Sequence, residues 1–260
     1  MADTKEFARG YTFANQTQKD TATFLLQNLG IAPLMRVLDV GCGPGDITVR
    51  IAELVGHEGE VVGIDPSKER IDIAVNERAQ PNVSFHQGKA EDLSQFPSQS
   101  FDAVFVNSTL HWVQDQPTAV KEFGRVLRPG GRLGISGGSG DFVAAHEKIK
   151  ADVLSRDPYS MYPEQSPPKF LRMVELETLL DEAGFLEREI IRRKIVKSAE
   201  NSDAMLNWLD TSSSGKTYGG IPLELRPRAR EEMIREWDKL MTEDGIQMDM
   251  ELLVTVAFRT

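Results

Sequence analysis

Hydrophobic and polar positions along the chain alternate between two periods. Residues 18–29, "QKDTATFLLQNL", carry apolar positions at helical spacing, with Gly30 as a stop and Pro33 beyond it. "MRVLDV" (35–40) is a continuous apolar run of the length of a buried strand, and "DITVRIAELV" (46–55) returns to the helical period. "EVVGID" (60–65) predicts a second strand, a helix starts at Pro66 and Ser67 and runs to about Ala79, and "NVSFHQ" and "FDAVFVNS" predict strands three and four. A helix over 116–127 follows, and "RPGG" (128–131) predicts a turn into strand five, "RLGISGG". Strands separated by helices imply βαβ units and a parallel, doubly wound sheet.

The second half is less regular. "DPYSMYPEQSPPKF" (157–170) is rich in proline and tyrosine and suits part of a lid better than a sheet or a plain linker. "VELETLLDEAGF" predicts a helix stopped by Gly184, "EREIIRRKIVKS" a sixth strand, and residues 200–245 two helical stretches around "TSSSGKTYGGIP". "DMELLVTVAFRT" closes the chain as a strand. No internal repeat and no low-complexity tail is present.

Composition narrows the chemistry. A length of 260 residues with 40% hydrophobic residues suits one α/β core with an appended or inserted piece. No run approaches the roughly 18 apolar residues of a membrane span, and "MADTKEFARGYTF" lacks the apolar stretch of a signal peptide, so a cytoplasmic protein is expected. A net charge of −10 argues against a nucleic-acid partner. The one basic segment, "REIIRRKIVK" (188–197), alternates charged and β-branched residues and is expected to be the solvated face of a strand. A single cysteine, Cys42, excludes an internal disulfide and is expected to be a small apolar filler; four scattered histidines make no metal site, so no metal is expected.

The loop in "VLDVGCGPGDIT" (37–48) follows the first strand, where ligands of doubly wound sheets bind and where glycine lets main-chain N–H groups approach a ligand closely. A dinucleotide loop, G-x-G-x-x-G/A, requires a small residue where this chain has Asp46, and an aspartate at a helix N-terminus repels a pyrophosphate. A phosphate loop ending in Gly-Lys-Ser/Thr is also absent. Asp39 before the glycines suits a ligand with an ammonium group, and Asp65 at the end of strand two suits the two hydroxyls of a ribose. Those are the features of S-adenosylmethionine.

"VLDVGCGPGDIT", "VVGIDPS", "GKAEDL", "FDAVFVNSTLHWV" and "VLRPGGRL" stand in the order and spacing of a class I S-adenosylmethionine-dependent methyltransferase, which residues 35–137 closely resemble. "NQTQKDTA", "NSTLHWV" and "AMLNWLDT" are similar to strings of the trans-aconitate and juvenile hormone acid methyltransferase group, which methylates carboxylates of small acids. The resemblance implies a Rossmann-like, doubly wound α/β sheet of seven strands, the last antiparallel, with an inserted helical cap over the active site. It divides the chain into an N-terminal flap and first helix (1–34) and a core (35–260) with cap insertions at about 138–174 and 199–247.

Carried over by position, Asp39, Gly41, Gly43 and Gly45 would line the methionine portion of the cofactor, and Asp65 would hold the ribose. Pro66 and Ser67 would flank the adenine, with Ala90 and Glu91 near its edge. Many relatives have an aspartate at the position of Lys89, which accepts a hydrogen bond from the adenine amino group; lysine has no acceptor, so Glu91 or main chain is assigned that role. Asn107 would face the sulfonium, and Tyr11, Phe13, Asn15 and Gln18 belong to a closing flap, which would exclude water.

His111, Trp112 and Gln18 are the candidates on the acceptor side. His111 serves as a donor to a carboxylate acceptor, which needs no base because it is already ionised at neutral pH, or as general base to a less acidic one. Trp208 and Trp237 lie on helical patterns and are expected in the core of the cap. An acidic substrate would be held by donors among Tyr159, Tyr162, Lys169, Arg172, Lys216, Tyr218 and Arg226. The expected reaction is in-line methyl transfer to a small-molecule acceptor, an organic acid first, leaving S-adenosylhomocysteine. The alternatives are a phenolic oxygen, nitrogen or carbon acceptor of a secondary metabolite or quinone precursor, or a non-catalytic cofactor-binding protein.

Overall fold

The computed structural model describes residues 16–260 apart from residue 214. In chain order the elements are α1 (Gln16–Leu29), β1 (Arg36–Val40), α2 (Asp46–Val55), β2 (Glu60–Asp65), α3 (Lys68–Glu77), β3 (Val83–Gln87), β4 (Phe101–Asn107), α4 (Gln116–Val126) and β5 (Leu127–Gly138). There follow α5 (Ala145–Leu154), α6 (Met173–Glu182), β6 (Glu187–Ala199), α7 (Ser202–Ser212), α8 (Arg226–Asp238), β7 (Met241–Thr242) and β8 (Gly245–Phe258).

The sheet runs β3-β2-β1-β4-β5-β8-β6, with the two-residue β7 paired to β8 off that path. β1 through β5 are mutually parallel and β8 is antiparallel to β5, with Ile135 opposite Thr255. The Rossmann-like α/β fold with an antiparallel strand, expected from the sequence, is therefore present. The winding reverses between β1 and β4, so the crevice for a ligand lies where the carboxyl ends of those two strands meet.

The chain divides into two compact units. The larger holds residues 16–141, Pro168–Arg193 and Leu252–Thr260. Its core is built from the apolar runs read above: Leu38, Val62, Val104, Leu133 and Phe123 are buried together with Leu176, Leu180 and Phe185 of the α6 segment. α1 packs on β5, where a Cβ on Gly134 would stand 2.9 Å from Leu29 and 3.2 Å from Leu25. Arg132 then accounts for the end of α1 by donating to the carbonyls of Leu29 (3.0 Å) and Gly30 (2.6 Å).

The smaller unit comprises Phe142–Pro167 and Lys194–Glu251. α5, α7 and α8 bury Val153, Met205, Leu206 and Trp237 with Ile246 and Met248. Trp208 and Trp237 both belong to this core. Tyr159, in the proline- and tyrosine-rich segment, is buried as well, and its hydroxyl donates to Glu232 at 2.8 Å.

Three local expectations change. "RPGG" is not a turn ahead of strand five but lies within β5: Leu127 already pairs with Phe101, and the register shifts before Arg132 pairs with Ala103. Gly130 N donates to Arg259 O and Arg259 N to Gly131 O, so the partner that makes this stretch part of the sheet comes from the far end of the chain. α5 lies in the first insertion expected to be helical, although periodicity does not mark it, since its ten residues fully bury only Val153. β8 starts at Gly245 rather than near 249, because Glu243 and Asp244 make a tight turn, closed by Gly245 at φ 85°, that pairs it with β7. The basic strand does not present one solvated basic face: exposed and half-buried residues alternate along β6, but Arg188, Arg193 and Lys197 are half-buried while Val196 is exposed, because the basic residues fall on both faces of the strand.

Candidate functional site

At the carboxyl end of β1, Asp39 is 2% exposed and accepts a hydrogen bond from Thr48 Oγ1 at 2.7 Å. Burial pushes its carboxyl up from 3.8 to about 7; the Thr48 bond restrains the rise and the neighbouring Asp65 charge adds to it. Asp65, at the end of β2, accepts from Gly43 N (3.0 Å) on one oxygen and from Ser67 N (2.8 Å) on the other.

Between the two acids the loop turns through left-handed backbone at Gly41, Gly43 and Gly45 (φ 76°, 56° and 87°). It is docked on β2 by bonds from Gly41 N and Cys42 N to Ile64 O (2.7 and 3.0 Å). Gly41 is required twice over, since a Cβ there would also stand 2.2 Å from Thr109 Oγ1. Cys42 is buried, and burial together with the Asp39 and Asp65 charges pushes its thiol well up, which disfavours the nucleophilic thiolate. Asp46 begins α2 and accepts from Arg78 (3.2 Å), with Lys19 at 3.9 Å.

A buried pair of acids around a bare-backbone loop suits a cationic ligand carrying vicinal hydroxyls, and S-adenosylmethionine has both. A cation near Asp39 would favour its ionised form. Pro66 and Lys89 line a surface depression of about 670 Å³ together with His86, Gln87, Gly88, Asp92, Gln95 and Phe96. Ala90 is buried beside it and Glu91 is half-buried, and neither is among the lining residues. Gln87, whose amide donates to Pro66 O at 2.9 Å, is a polar lining residue that sequence reasoning passed over.

At the end of β4, Asn107 stands opposite Ser136 of β5, accepts from its hydroxyl at 2.6 Å and donates to Gln18 O at 3.2 Å. Gln18 is thereby brought from α1 to the end of β4, and its side-chain oxygen is buried with no hydrogen-bond partner among the described residues. His111 and Trp112 follow in a short 3₁₀ turn, Leu110–Trp112, with their rings 5.1 Å apart. The His111 ring also stacks on Phe170 at 4.8 Å. Asp39, the glycines, Asp65, Asn107, Gln18, His111 and Trp112 all belong to the larger unit. Tyr11, Phe13 and Asn15 lie outside the described residues.

The donors named for an acidic substrate are largely engaged elsewhere. The Tyr218 hydroxyl donates to Asp210 (3.1 Å) and accepts from Arg230 (3.2 Å), and burial leads the causes that push it up to about 12. Tyr159 is bound to Glu232, Arg172 to Glu175 (2.8 Å), and Lys169 Nζ to Gln114 O (2.6 Å). Thr48, Ser136, Gln116 and Phe170 were not singled out by sequence. Thr48 stands inside the glycine-loop string, whereas the others are assembled by strand order and by the return of the chain at 168–172. Among the described residues no cluster of His, Cys, Asp and Glu could hold a metal ion, and no helix is long and apolar enough to cross a membrane.

Residues 31–184 match the family model described as a methyltransferase domain. A demethylmenaquinone methyltransferase of Staphylococcus aureus is 39% identical over 110 residues, 42% of this chain. The chain spans less than half of that relative's length, 45%. An uncharacterized methyltransferase of Schizosaccharomyces pombe, C70.08c, is 31% identical over 217 residues, covering 80% of this chain and 78% of the relative. Among solved structures, the YcgJ protein from Bacillus subtilis superposes with a TM-score of 0.67 at 18% identity, over 93% of this chain and 98% of that one. A putative methyltransferase from Bacillus halodurans does so with a TM-score of 0.62 at 19% identity, over 92% and 99%. At those identities the structural likeness concerns the fold.

Proposed function

The chain belongs to the methyltransferase-domain family, and on that premise we propose that it transfers a methyl group from S-adenosylmethionine to a small molecule. The carrying observation is the buried acid pair, Asp39 and Asp65, on either side of the left-handed glycine loop where the sheet reverses its winding. When bound, S-adenosylmethionine supplies an electrophilic methyl group on a sulfonium. Asp39, Gly41, Gly43 and Gly45 would hold its methionine end and Asp65 its ribose. Pro66, Ala90 and Glu91 would hold its adenine, while Asn107 and Gln18, at the end of β4, would stand toward the methyl group. The contribution of these residues is orientation and exclusion of water.

The acceptor reading that the geometry favours is a flat aromatic one, of the quinol or phenol class. It is supported by the ring cluster of His111, Trp112 and Phe170 and by the name of the Staphylococcus aureus relative. For such an acceptor His111 would take the hydroxyl proton. The second reading is O-methylation of an organic acid's carboxylate, the acceptor that the sequence resemblance implies; Lys169 stands beside the His111 turn, its N donating to His111 O at 2.7 Å, although its ammonium is bound to Gln114 O. There His111 would donate to the acceptor and no base would be needed.

Both readings are tested by one experiment with methyl-labelled S-adenosylmethionine and a panel of quinols, phenols and small carboxylic acids. Label that survives mild base hydrolysis indicates an ether or carbon–carbon product, and label released by it indicates an ester. Absence of S-adenosylhomocysteine binding in calorimetry would overturn the cofactor assignment.

A further inference from the structure

Residues 168–172 cross the turn that follows β4 and are fastened to it at several points. Lys169 N donates to His111 O at 2.7 Å. The Gln116 side-chain amide donates to Leu110 O at 3.0 Å and to Lys169 O at 2.9 Å, so one buried –NH₂ joins the main chain on both sides. A buried amide costs stability unless its donors are used, and here both serve to connect two segments.

Phe170 completes the arrangement. Its ring stacks on the His111 imidazole at 4.8 Å with 28° between planes, and on the other side it fills the space over Gly138, where a Cβ would stand 2.9 Å away. Trp112 lies against the imidazole at 5.1 Å and 50°. A cavity of about 30 Å³, room for a water molecule, is lined by His111, Gln116, Ser136 and Gly137 among others. The imidazole is thus packed against its neighbour Trp112 and against Phe170, more than fifty positions further along the chain.

We propose that Gln116 and Phe170 are positioning residues, which clamp the turn after β4 and hold the His111 ring in the orientation that methyl transfer uses. This rests on the proposed function only for the role of His111. Held geometry matters because a misplacement of about 1 Å costs up to ~100-fold in rate.

The test uses the full chain and the variants Gln116→Leu, Phe170→Leu and Phe170→Tyr, with S-adenosylhomocysteine as the binding probe and NMR of the histidine rings as the geometric one. In Phe170→Leu the His111 ring signals should move as the stacked ring is lost, kcat should fall about tenfold or more, and the S-adenosylhomocysteine Kd should stay within about twofold. Phe170→Tyr, which keeps the stacked ring, should restore both the signals and kcat. Gln116→Leu should lower kcat in the same way, and if it does not fold, Phe170→Leu and Phe170→Tyr decide alone. Unmoved His111 signals, an unchanged kcat, or a loss of cofactor affinity parallel to the loss of kcat would overturn the clamp. Wild-type protein that methylates no acceptor overturns the proposed function instead, and the ring signals then judge the clamp by themselves.

Discussion

Thr48 and Asp39, nine residues apart, are joined by a 2.7 Å hydrogen bond between hydroxyl and buried carboxyl. The bond closes the glycine loop on itself: it ties the end of β1 to the first turn of α2 and fixes the face that Asp39 presents. It also supports the carboxyl in a place where burial opposes its ionisation.

The pH dependence of that carboxyl can be worked out with its sign. Asp39 is held at about 7 in the fold against 3.8 ordinarily, so the folded state binds the proton more tightly than the unfolded chain. Its contribution to stability is fully present below pH 4 and is lost as pH rises through about 7. The full loss is roughly 4 kcal/mol by the relation of pKa to free energy. Asp39→Asn, which still accepts from Thr48, should therefore be more stable than wild type at pH 8 and nearly equal to it at pH 4. Urea denaturation of the ligand-free proteins at both values measures this, and a difference independent of pH would refute it.

Asp65 answers to two main-chain donors as well as to the ligand proposed for it. Asp65→Ala strands Gly43 N and Ser67 N, so it should lower stability and, with the loop no longer held, weaken S-adenosylhomocysteine binding. Each effect should amount to about 1–3 kcal/mol, the range for hydrogen bonds to charged groups and for stranded buried donors. Calorimetry and thermal unfolding report them separately. Lost stability with unchanged affinity would leave Asp65 a loop anchor and remove it from the cofactor site.

A third expectation concerns the segment between β3 and β4. Arg125 donates to Leu93 O (2.7 Å) and Phe96 O (2.9 Å) while paired with Glu122, which accepts from Leu93 N (3.1 Å). The Glu122 carboxyl is accordingly held below its ordinary value, chiefly by the Arg125 bonds. Arg125→Met should speed hydrogen exchange at the Leu93 amide and lower stability by about 1–3 kcal/mol. Exchange at Leu93 equal to wild type would show that the segment is held without this pair.

How much of this was legible depended on where each partner lies in the chain. β1, β2 and their terminal acids could be read because a buried strand is a local apolar run and the loop's glycines stand beside it. Gly45 and Asp46 likewise announced the start of α2. Ser136, Gln116 and Phe170 carried no such mark: Ser136 meets Asn107 only because β4 and β5 are neighbours, and Phe170 reaches His111 only after the chain has passed through the smaller unit. The stretch 128–131 misled for the same reason, since the Arg259 main chain that pairs with it is supplied from the other end of the sequence. At 243–245 the signal was local, a Glu-Asp turn followed by a glycine in left-handed backbone.

Two glycines in the same backbone region separate conformational strain from steric conflict. Gly41 and Gly130 have nearly equal φ, 76° and 75°, but a Cβ on Gly130 would meet nothing within 4 Å, whereas one on Gly41 would meet Thr109 Oγ1, Cγ2 and Cβ at 2.2, 2.4 and 2.8 Å. Gly130→Ala should cost only the left-handed penalty, about 1–2 kcal/mol. Gly41→Ala carries that penalty and the overlap, so its loss of stability should be clearly larger and should extend to S-adenosylhomocysteine affinity, because the loop must move off β2 to make room. Thr109→Gly removes all three conflicting atoms and, added to Gly41→Ala, should recover the excess while leaving the backbone penalty. Thermal unfolding of the two single glycine variants and of the Gly41→Ala, Thr109→Gly double variant, each beside its parent, makes the comparison. Equal losses in the two single variants, or no recovery in the double one, would show that the close approach of Thr109 does not shape this loop.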